Sequence, residues 1–221
     1  MTYEEHQADR TKLIRYDTAD HIHLMPWYAK YRASRTPDDF LSIYIHYPYC
    51  KGTCAYCMYS TLEHTPNSVA SFLQQVESQY AVASTALSGI AVRSFYFGGG
   101  SPTLFSADEF LQILELTSRY WDLDTDHGNM FTIEGHVNQW TPQKLTAVAS
   151  TYINRVSMGV QSLHKDVLRE NLRPWIEPQE VFDRIQLASE LYESRVNVDM
   201  MHGINGQTSS MVVEDVLRLV D

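Results

Sequence analysis

Three cysteines are the residues whose type and spacing point most directly to chemistry. Cys50, Cys54 and Cys57 lie within eight residues, directly after an apolar, aromatic-rich segment over 41–49, and the chain has no other cysteine. Three thiolates this close together suit an iron–sulfur cluster, and a cluster of four irons held by three ligands keeps one iron open. An open iron favours a role in chemistry over a role in electron transfer alone.

Other interpretations of the cysteines can be set beside the cluster. A zinc site would take His46 or His64 as its fourth ligand, although structural zinc sites usually combine two close ligands with a second, distant pair. Packing on one helical face is disfavoured by Pro48 and Gly52, which break helices. An odd number of cysteines cannot all pair as disulfides. At this point the cluster is favoured, and zinc stays open as an alternative that would make the chain a structural domain.

Composition and charge limit the class of protein. The chain has 221 residues, of which 44% are apolar and 12% aromatic, and its formal net charge is −10. This is enough chain for one sizeable core. The acidic balance disfavours nucleic acid as the main partner. The sequence shows neither a secretory signal nor an apolar stretch long enough for a membrane span, so we expect a cytoplasmic protein with reduced thiols.

The segments that must position the cysteines alternate between two patterns, which predicts an α/β fold with a parallel sheet. The predicted strands are 41–47, 92–97, 130–134, 153–159 and 196–201. The predicted helices are 67–88, 106–121, 141–150, 178–193 and 210–220.

Local signals support two of these helices. Ser106 and Glu109 have the spacing of a capping box. Phe72, Val76 and Tyr80 recur at four-residue steps, which predicts a stripe facing the core.

The chain is predicted to contain two parts. Residues 1–40 are irregular in pattern and are expected to form an extension that packs on a core domain over 41–221. The core has five strand–helix units, and no strand follows the helix at 210–220. We therefore expect a core domain that is incomplete at its C-terminal end.

Each predicted strand leads into a polar or glycine-rich feature. The cysteines follow the first strand, and Gly98-Gly99-Gly100-Ser101 follows the second. Glu134, Gln161 and Asp199 lie at the ends of the other three. Because ligands of parallel α/β sheets bind beyond the carboxyl ends of the strands, these features predict one site at a single rim.

The arrangement resembles the radical S-adenosylmethionine superfamily and, within it, the oxygen-independent coproporphyrinogen III oxidase-like family. The likeness runs from about residue 40 to the end of the chain, and its motifs follow the family's order. They are the segments 44–50 (YIHYPYC), 50–57 (CKGTCAYC), 97–103 (FGGGSPT), 132–134 (TIE), 154–162 (NRVSMGVQS) and 197–208 (NVDMMHGINGQT).

The resemblance implies the fold, the cofactors and the site residues. The fold would be a parallel (β/α) partial barrel with about five of six strand–helix units. Cys50, Cys54 and Cys57 would hold a 4Fe–4S cluster, whose open iron would bind S-adenosylmethionine. The positions that match the family's cofactor contacts are Tyr44, Tyr56, Gly99, Gly100, Ser101, Glu134, Gln161, Arg173 and Asp199.

The resemblance also implies an activity. The enzyme would cleave S-adenosylmethionine reductively to a 5′-deoxyadenosyl radical, using electrons from a donor such as flavodoxin or ferredoxin. Its substrate would be a tetrapyrrole or a related small molecule, as for an oxidoreductase of porphyrin biosynthesis. Met58-Tyr59 stand where the oxidase has a Gly-Cys pair. Alternatives within the family are a methyltransferase or a haem-trafficking protein. His21 and His23 could then form a haem-ligand pair, although a solvated histidine pair is the favoured interpretation of these two residues.

Overall fold

Five parallel strands form the central sheet. The structure is a computed structural model that describes residues 21–36, 38–126 and 128–220, with side chains described from residue 25 onward. The five strands are β1 (Leu41–Tyr47), β4 (Val92–Gly99), β5 (Met130–His136), β6 (Arg155–Gln161) and β7 (Val196–Met200). They lie side by side in the order β1-β4-β5-β6-β7. A separate two-stranded pair consists of β2 (Tyr49–Cys50) and β3 (Leu62–Glu63).

Helices connect the strands. They are α1 (His21–Ser34), α2 (Ser68–Ala86), α3 (Ala107–Tyr120), α4 (Pro142–Ala149), α5 (Lys165–Glu170), α6 (Pro178–Leu191) and α7 (Ser209–Val220), with 3-10 turns at Pro102–Leu104 and Val137–Gln139. Helix α1 contacts α2. Across the described part of the chain, no helix combines the length and the apolar character needed to cross a bilayer.

One face of the sheet packs against the helices and forms the core. Successive side chains of a strand point to opposite sides of the sheet, so residues two apart share one face. In β4, Phe95 and Phe97 share the helix-covered face and are fully buried. Aromatic rings fill much of the space between sheet and helices. Phe110 of α3, for example, stacks on Trp140 with ring centroids 5.7 Å apart.

The other face of the sheet is polar, and we call it the inner face. It carries the residues that alternate with the buried ones on each strand, namely Tyr44, His46, Tyr96, Thr132, Glu134, Arg155, Ser157, Asn197 and Asp199. An apolar core on one face and polar side chains on the other leave the inner face available for a ligand.

The predicted α/β fold with a parallel sheet is confirmed. Each predicted strand and helix is present, and the capping box of α3 is formed in both directions between Ser106 and Glu109. Phe72, Val76 and Tyr80 are buried as predicted. β4, β5 and β6 each extend two residues beyond the predicted ends, because the glycine-rich and polar segments continue the hydrogen-bonded ladder.

Candidate functional site

All three cysteines line one cavity at the carboxyl ends of the strands. Cys50 ends β2, and Cys54 and Cys57 lie on the loop between β2 and β3. The pairing of these two short strands closes the base of that loop. Within the loop, the backbone N–H of Cys57 donates to the carbonyl of Cys54 over 3.0 Å. The loop also reaches the other side of the cavity, because Ala55 N–H donates to the Asn171 carbonyl over 2.9 Å.

None of the three described cysteines is in a disulfide, and their thiols are close enough to influence one another. Burial, together with the nearby thiols of Cys57 and Cys54, raises the pKa of the Cys50 thiol to about 12. Within the ranges that the structure describes, no three His, Cys, Asp or Glu side chains converge on the position of a single metal ion. A cluster makes a different demand, since each thiolate binds a separate iron.

The glycine run beside the cysteines forms a close-fitting cradle. A Cβ at Gly100 would lie 2.6 Å from the Tyr49 carbonyl oxygen and 3.1 Å from Cys50 Sγ. Gly99 has a φ of +115°, which side-chain-bearing residues rarely adopt. Glycine is therefore required here for the backbone to approach the cysteine loop. The thiol set and this cradle together fit a cluster with a small ligand beside it.

Glu134 stands at the same rim with its carboxylate held in place. It accepts hydrogen bonds from Gly99 N–H over 2.7 Å and from the Tyr96 hydroxyl over 2.5 Å. Burial and the neighbouring carboxylate raise the pKa of Tyr96, so the phenol stays protonated and remains a donor. These bonds connect the glycine cradle to the centre of the inner face.

Arg173 brings a buried positive charge to the cavity. Only 7% of the residue is exposed. Its guanidinium donates to the Tyr56 hydroxyl over 3.1 Å and to the Gly159 carbonyl over 2.5 Å, and it lies 3.8 Å from Cys54 Sγ. The Tyr56 hydroxyl and the Gly159 carbonyl carry no formal charge. A guanidinium in this position can bind a carboxylate with two parallel hydrogen bonds.

Two further polar residues complete the wall. Gln161 has a φ of 71°, and the register between β6 and β7 shifts at this point. A non-glycine residue in this region is strained, and such strain is often found at functional sites. Asp199 accepts hydrogen bonds from Ser157 over 2.8 Å and from Asn197 over 2.6 Å, so its carboxylate is oriented from two sides.

Most of the residues singled out from the sequence meet at this cavity. Those that line it are Cys50, Cys54, Cys57, Tyr56, Gly99, Gly100, Glu134, Gln161, Arg173 and Asp199. Tyr44 and Ser101 are placed elsewhere. Tyr44 is 59% exposed and bonds to His46 Nδ1 over 3.0 Å. Ser101 is buried, and its hydroxyl donates to Gln139 Oε1 over 2.7 Å.

The histidines of the alternative interpretations have other partners or lie outside the description. Nδ1 of His64 bonds to the Tyr47 hydroxyl over 2.9 Å, and Nδ1 of His46 bonds to Tyr44. His21 and His23 lie outside the residues whose side chains the structure describes.

His136 lines the cavity although the sequence did not single it out. Burial, and secondarily the charge of Arg173, lower the pKa of His136 to about 3. The imidazole is therefore neutral at pH 7. The signal for His136 was its position two residues after Glu134 on the same strand, which places both on one face.

A buried carboxylate behind the site was also missed. Asp215 of α7 is 1% exposed. It accepts from the Ser162 hydroxyl over 2.7 Å and from Leu163 N–H over 3.1 Å, and His164 Nε2 lies 3.5 Å away. This network fixes the loop that begins at Gln161.

Comparisons with known proteins agree with this geometry. The sequence profile of the Radical SAM superfamily matches residues 44–219. "Heme chaperone HemW" of Lactococcus lactis is 24% identical over 180 residues, covering 81% of this chain and 46% of that protein. "Oxygen-independent coproporphyrinogen III oxidase" of Pseudomonas aeruginosa is 28% identical over 195 residues, covering 85% of this chain and 42% of that protein.

Among solved structures, the coproporphyrinogen III oxidase HemN from Escherichia coli, described as a radical SAM enzyme, matches with a TM-score of 0.78. Its sequence identity is 21%, and the match covers 92% of this chain and 45% of that one. A likeness at this identity supports the fold, a partial parallel barrel. This chain spans about half the length of the curated relatives that it matches.

Proposed function

The chain belongs to the Radical SAM superfamily, and from this membership we propose that it is a radical S-adenosylmethionine enzyme. The observation that carries the proposal is the meeting of three thiols, a glycine cradle and a buried arginine at one cavity. Each of these features has an ordinary structural explanation when taken alone. Their placement around one rim of a parallel sheet is what favours a cofactor site.

Cys50, Cys54 and Cys57 would hold a 4Fe–4S cluster. S-Adenosylmethionine would bind beside it, along Gly99 and Gly100. When bound, these cofactors supply the reductive cleavage of the sulfonium carbon–sulfur bond, which yields methionine and a 5′-deoxyadenosyl radical.

The protein's own residues would bind and orient the cofactor. Arg173 would pair with its carboxylate, since the guanidinium offers two parallel donors. Glu134 and Asp199 already hold fixed orientations and retain acceptor capacity for hydroxyl or ammonium groups. Tyr56 lies at the cavity wall next to Arg173 and offers an aromatic surface to the adenine. The helix-covered sheet would exclude water from one side of the site.

The proposed substrate is a tetrapyrrole or a related small molecule, and the proposed reaction class is an oxidation of the coproporphyrinogen type. The name of the Pseudomonas aeruginosa relative supports this class. A one-electron donor of the flavodoxin or ferredoxin kind would reduce the cluster. We further propose that residues 1–40 are an extension packing on the core domain over 41–221, which the contact between α1 and α2 supports.

A second candidate function is haem binding by the same domain. It is favoured by relatives named "Heme chaperone HemW" from Lactococcus lactis and Bacillus subtilis, at 24% and 26% identity. Titration with haem, followed by its absorbance band, separates the two functions. Stoichiometric haem binding without turnover of a porphyrinogen would favour the chaperone.

The main proposal is tested by anaerobic reconstitution with iron and sulfide. The expected product is a brown protein that forms 5′-deoxyadenosine when dithionite and S-adenosylmethionine are added. Metal analysis that finds zinc without iron or sulfide would instead favour the structural zinc domain.

A further inference from the structure

Arg155 is the first residue of β6 and lies on the inner face of the sheet. Its neighbours on the strand, Val156 and Met158, are fully buried on the helix-covered face. Arg155 itself is half-buried. Among the residues that the structure describes, no carboxylate forms a salt bridge with it, whereas Arg93, Arg119, Arg184 and Arg218 each have one.

The strand register places Arg155 one layer below the cofactor cavity. Arg155 is opposite Thr132, and Thr132 is opposite Tyr96. In the next layer, towards the carboxyl ends of the strands, Ser157 is opposite Glu134, which lines the cavity. Two residues along a strand correspond to about 7 Å. A molecule that extended from the cavity along the inner face, towards the amino ends of the strands, would therefore reach Arg155, Thr132 and Tyr96 next.

The acids nearest to this layer are already engaged by other donors. Glu134 accepts from Gly99 and Tyr96, and Asp199 accepts from Ser157 and Asn197. The charge of Arg155 still reaches Tyr96, where it opposes the rise in pKa that burial causes. Arg155 is thus close enough to the inner face to act on Tyr96, and among the described residues it forms no salt bridge there. A half-buried guanidinium without a partner gains most from a ligand that supplies an anion.

We propose that Arg155 binds a carboxylate of the substrate on the inner face of the sheet, on the side of the cofactor cavity that faces the amino ends of the strands. This inference rests on the proposed function and names the residue that would bind a carboxylate of its substrate. A carboxylate fits better than a phosphate for two reasons. It matches the planar guanidinium with two parallel bonds, and its single negative charge is repelled less by Glu134 and Asp199 than a double charge would be.

The test uses the full 221-residue chain with its cluster reconstituted, and coproporphyrin III as a fluorescent probe that carries propionate groups. A neutral, water-soluble glycol tetraester of the same porphyrin is the control ligand. The variants are Arg155→Met and Arg155→Lys. Arg119→Met is the matched control, because it removes the same charge from an exposed position on α3.

We expect Arg155→Met to weaken coproporphyrin III binding by about 10- to 100-fold, the range of a charge-assisted hydrogen-bonded pair. Arg155→Lys should bind with an intermediate dissociation constant, since it keeps the charge but not the paired donors. Arg119→Met should match the wild type. The tetraester should bind the wild type and Arg155→Met equally.

Three results would overturn the inference. The first is a dissociation constant of Arg155→Met for coproporphyrin III within about twofold of the wild-type value. The second is a loss of affinity for the tetraester, on changing Arg155 to Met, as large as the loss for coproporphyrin III. The third is the absence of coproporphyrin III binding by the wild type. Formation of 5′-deoxyadenosine by the wild type is measured separately. Failure of that reaction would contradict the proposed function, while the porphyrin titration would still decide the role of Arg155.

Discussion

The Arg173 guanidinium donates a 3.1 Å hydrogen bond to the hydroxyl of Tyr56, a residue 117 positions earlier in the chain. This bond joins the cysteine loop to the segment that follows α5. It also places a permanent positive charge 3.8 Å from the Sγ of Cys54. The two halves of the cavity are therefore held together by the group that we propose binds the cofactor's carboxylate.

Changing Arg173 is expected to weaken S-adenosylmethionine binding more than cluster binding. Arg173→Met should raise the dissociation constant for S-adenosylmethionine by about 10- to 100-fold, because a bidentate charged pair is lost. Arg173→Lys should recover part of the affinity. Equilibrium binding of S-adenosylmethionine to reconstituted protein measures this, and iron content serves as the check on the cluster. Unchanged affinity in Arg173→Met would remove this residue from the site.

Gly100→Ala is expected to disturb the cysteine loop. The new Cβ would lie 2.6 Å from the Tyr49 carbonyl oxygen and 3.1 Å from Cys50 Sγ, so the loop must shift. Overpacking of this kind costs about 1–3 kcal/mol of unfolding free energy. We expect lower iron incorporation and a lower midpoint of urea unfolding. Gly128→Ala is the control, because no atom of the described residues, its chain neighbours aside, lies within 4 Å of its added Cβ. Equal losses in both variants would contradict the requirement for glycine at position 100.

The sequence predicted the sheet well because its strands follow strong alternation between apolar and polar residues. It also predicted which strand ends meet, since parallel strands share one rim. Asp215 was beyond such reasoning, because its partners Ser162 and Leu163 are more than 50 positions away. Similarly, the turn of the Ser101 hydroxyl towards Gln139 depends on packing that no local pattern encodes.

Asp215→Ala is expected to destabilise the fold. The change leaves the Ser162 hydroxyl and the Leu163 N–H buried without their acceptor. Such unsatisfied groups cost about 1–3 kcal/mol of unfolding free energy. Chemical unfolding of the cluster-free protein measures the loss. Asp183→Ala, at an exposed position of α6, should change the unfolding free energy by less than about 0.5 kcal/mol; a similar loss there would show that Asp215 has no special role.

The stability of the cluster-free protein should fall as the pH drops below about 6.5. Burial and the charge of Arg173 lower the pKa of His136 to about 3, so the folded state keeps this imidazole neutral. The unfolded chain takes up a proton below its own pKa of about 6.5. Between the two values the unfolded state binds more protons, and stability therefore rises with pH by up to about 1.4 kcal/mol per unit.

His136→Gln should flatten this slope, measured as the difference in unfolding free energy between pH 7 and pH 5. His46 and His64 also have lowered pKa values through burial, so a residual slope is expected. The exposed His202→Gln variant should keep the full slope of the wild type. If His136→Gln kept it as well, protonation of His136 would not control acid stability.

The most direct test replaces Cys54 by alanine and measures iron, sulfide and 5′-deoxyadenosine in the same anaerobic preparation. Met58→Ala is the matched control, because Met58 lies in the same loop with 88% of the residue exposed. We predict that Cys54→Ala loses both the cluster and the cleavage of S-adenosylmethionine, while Met58→Ala retains both. A Cys54→Ala protein with wild-type iron and sulfide content and undiminished 5′-deoxyadenosine formation would contradict the assignment of the three cysteines.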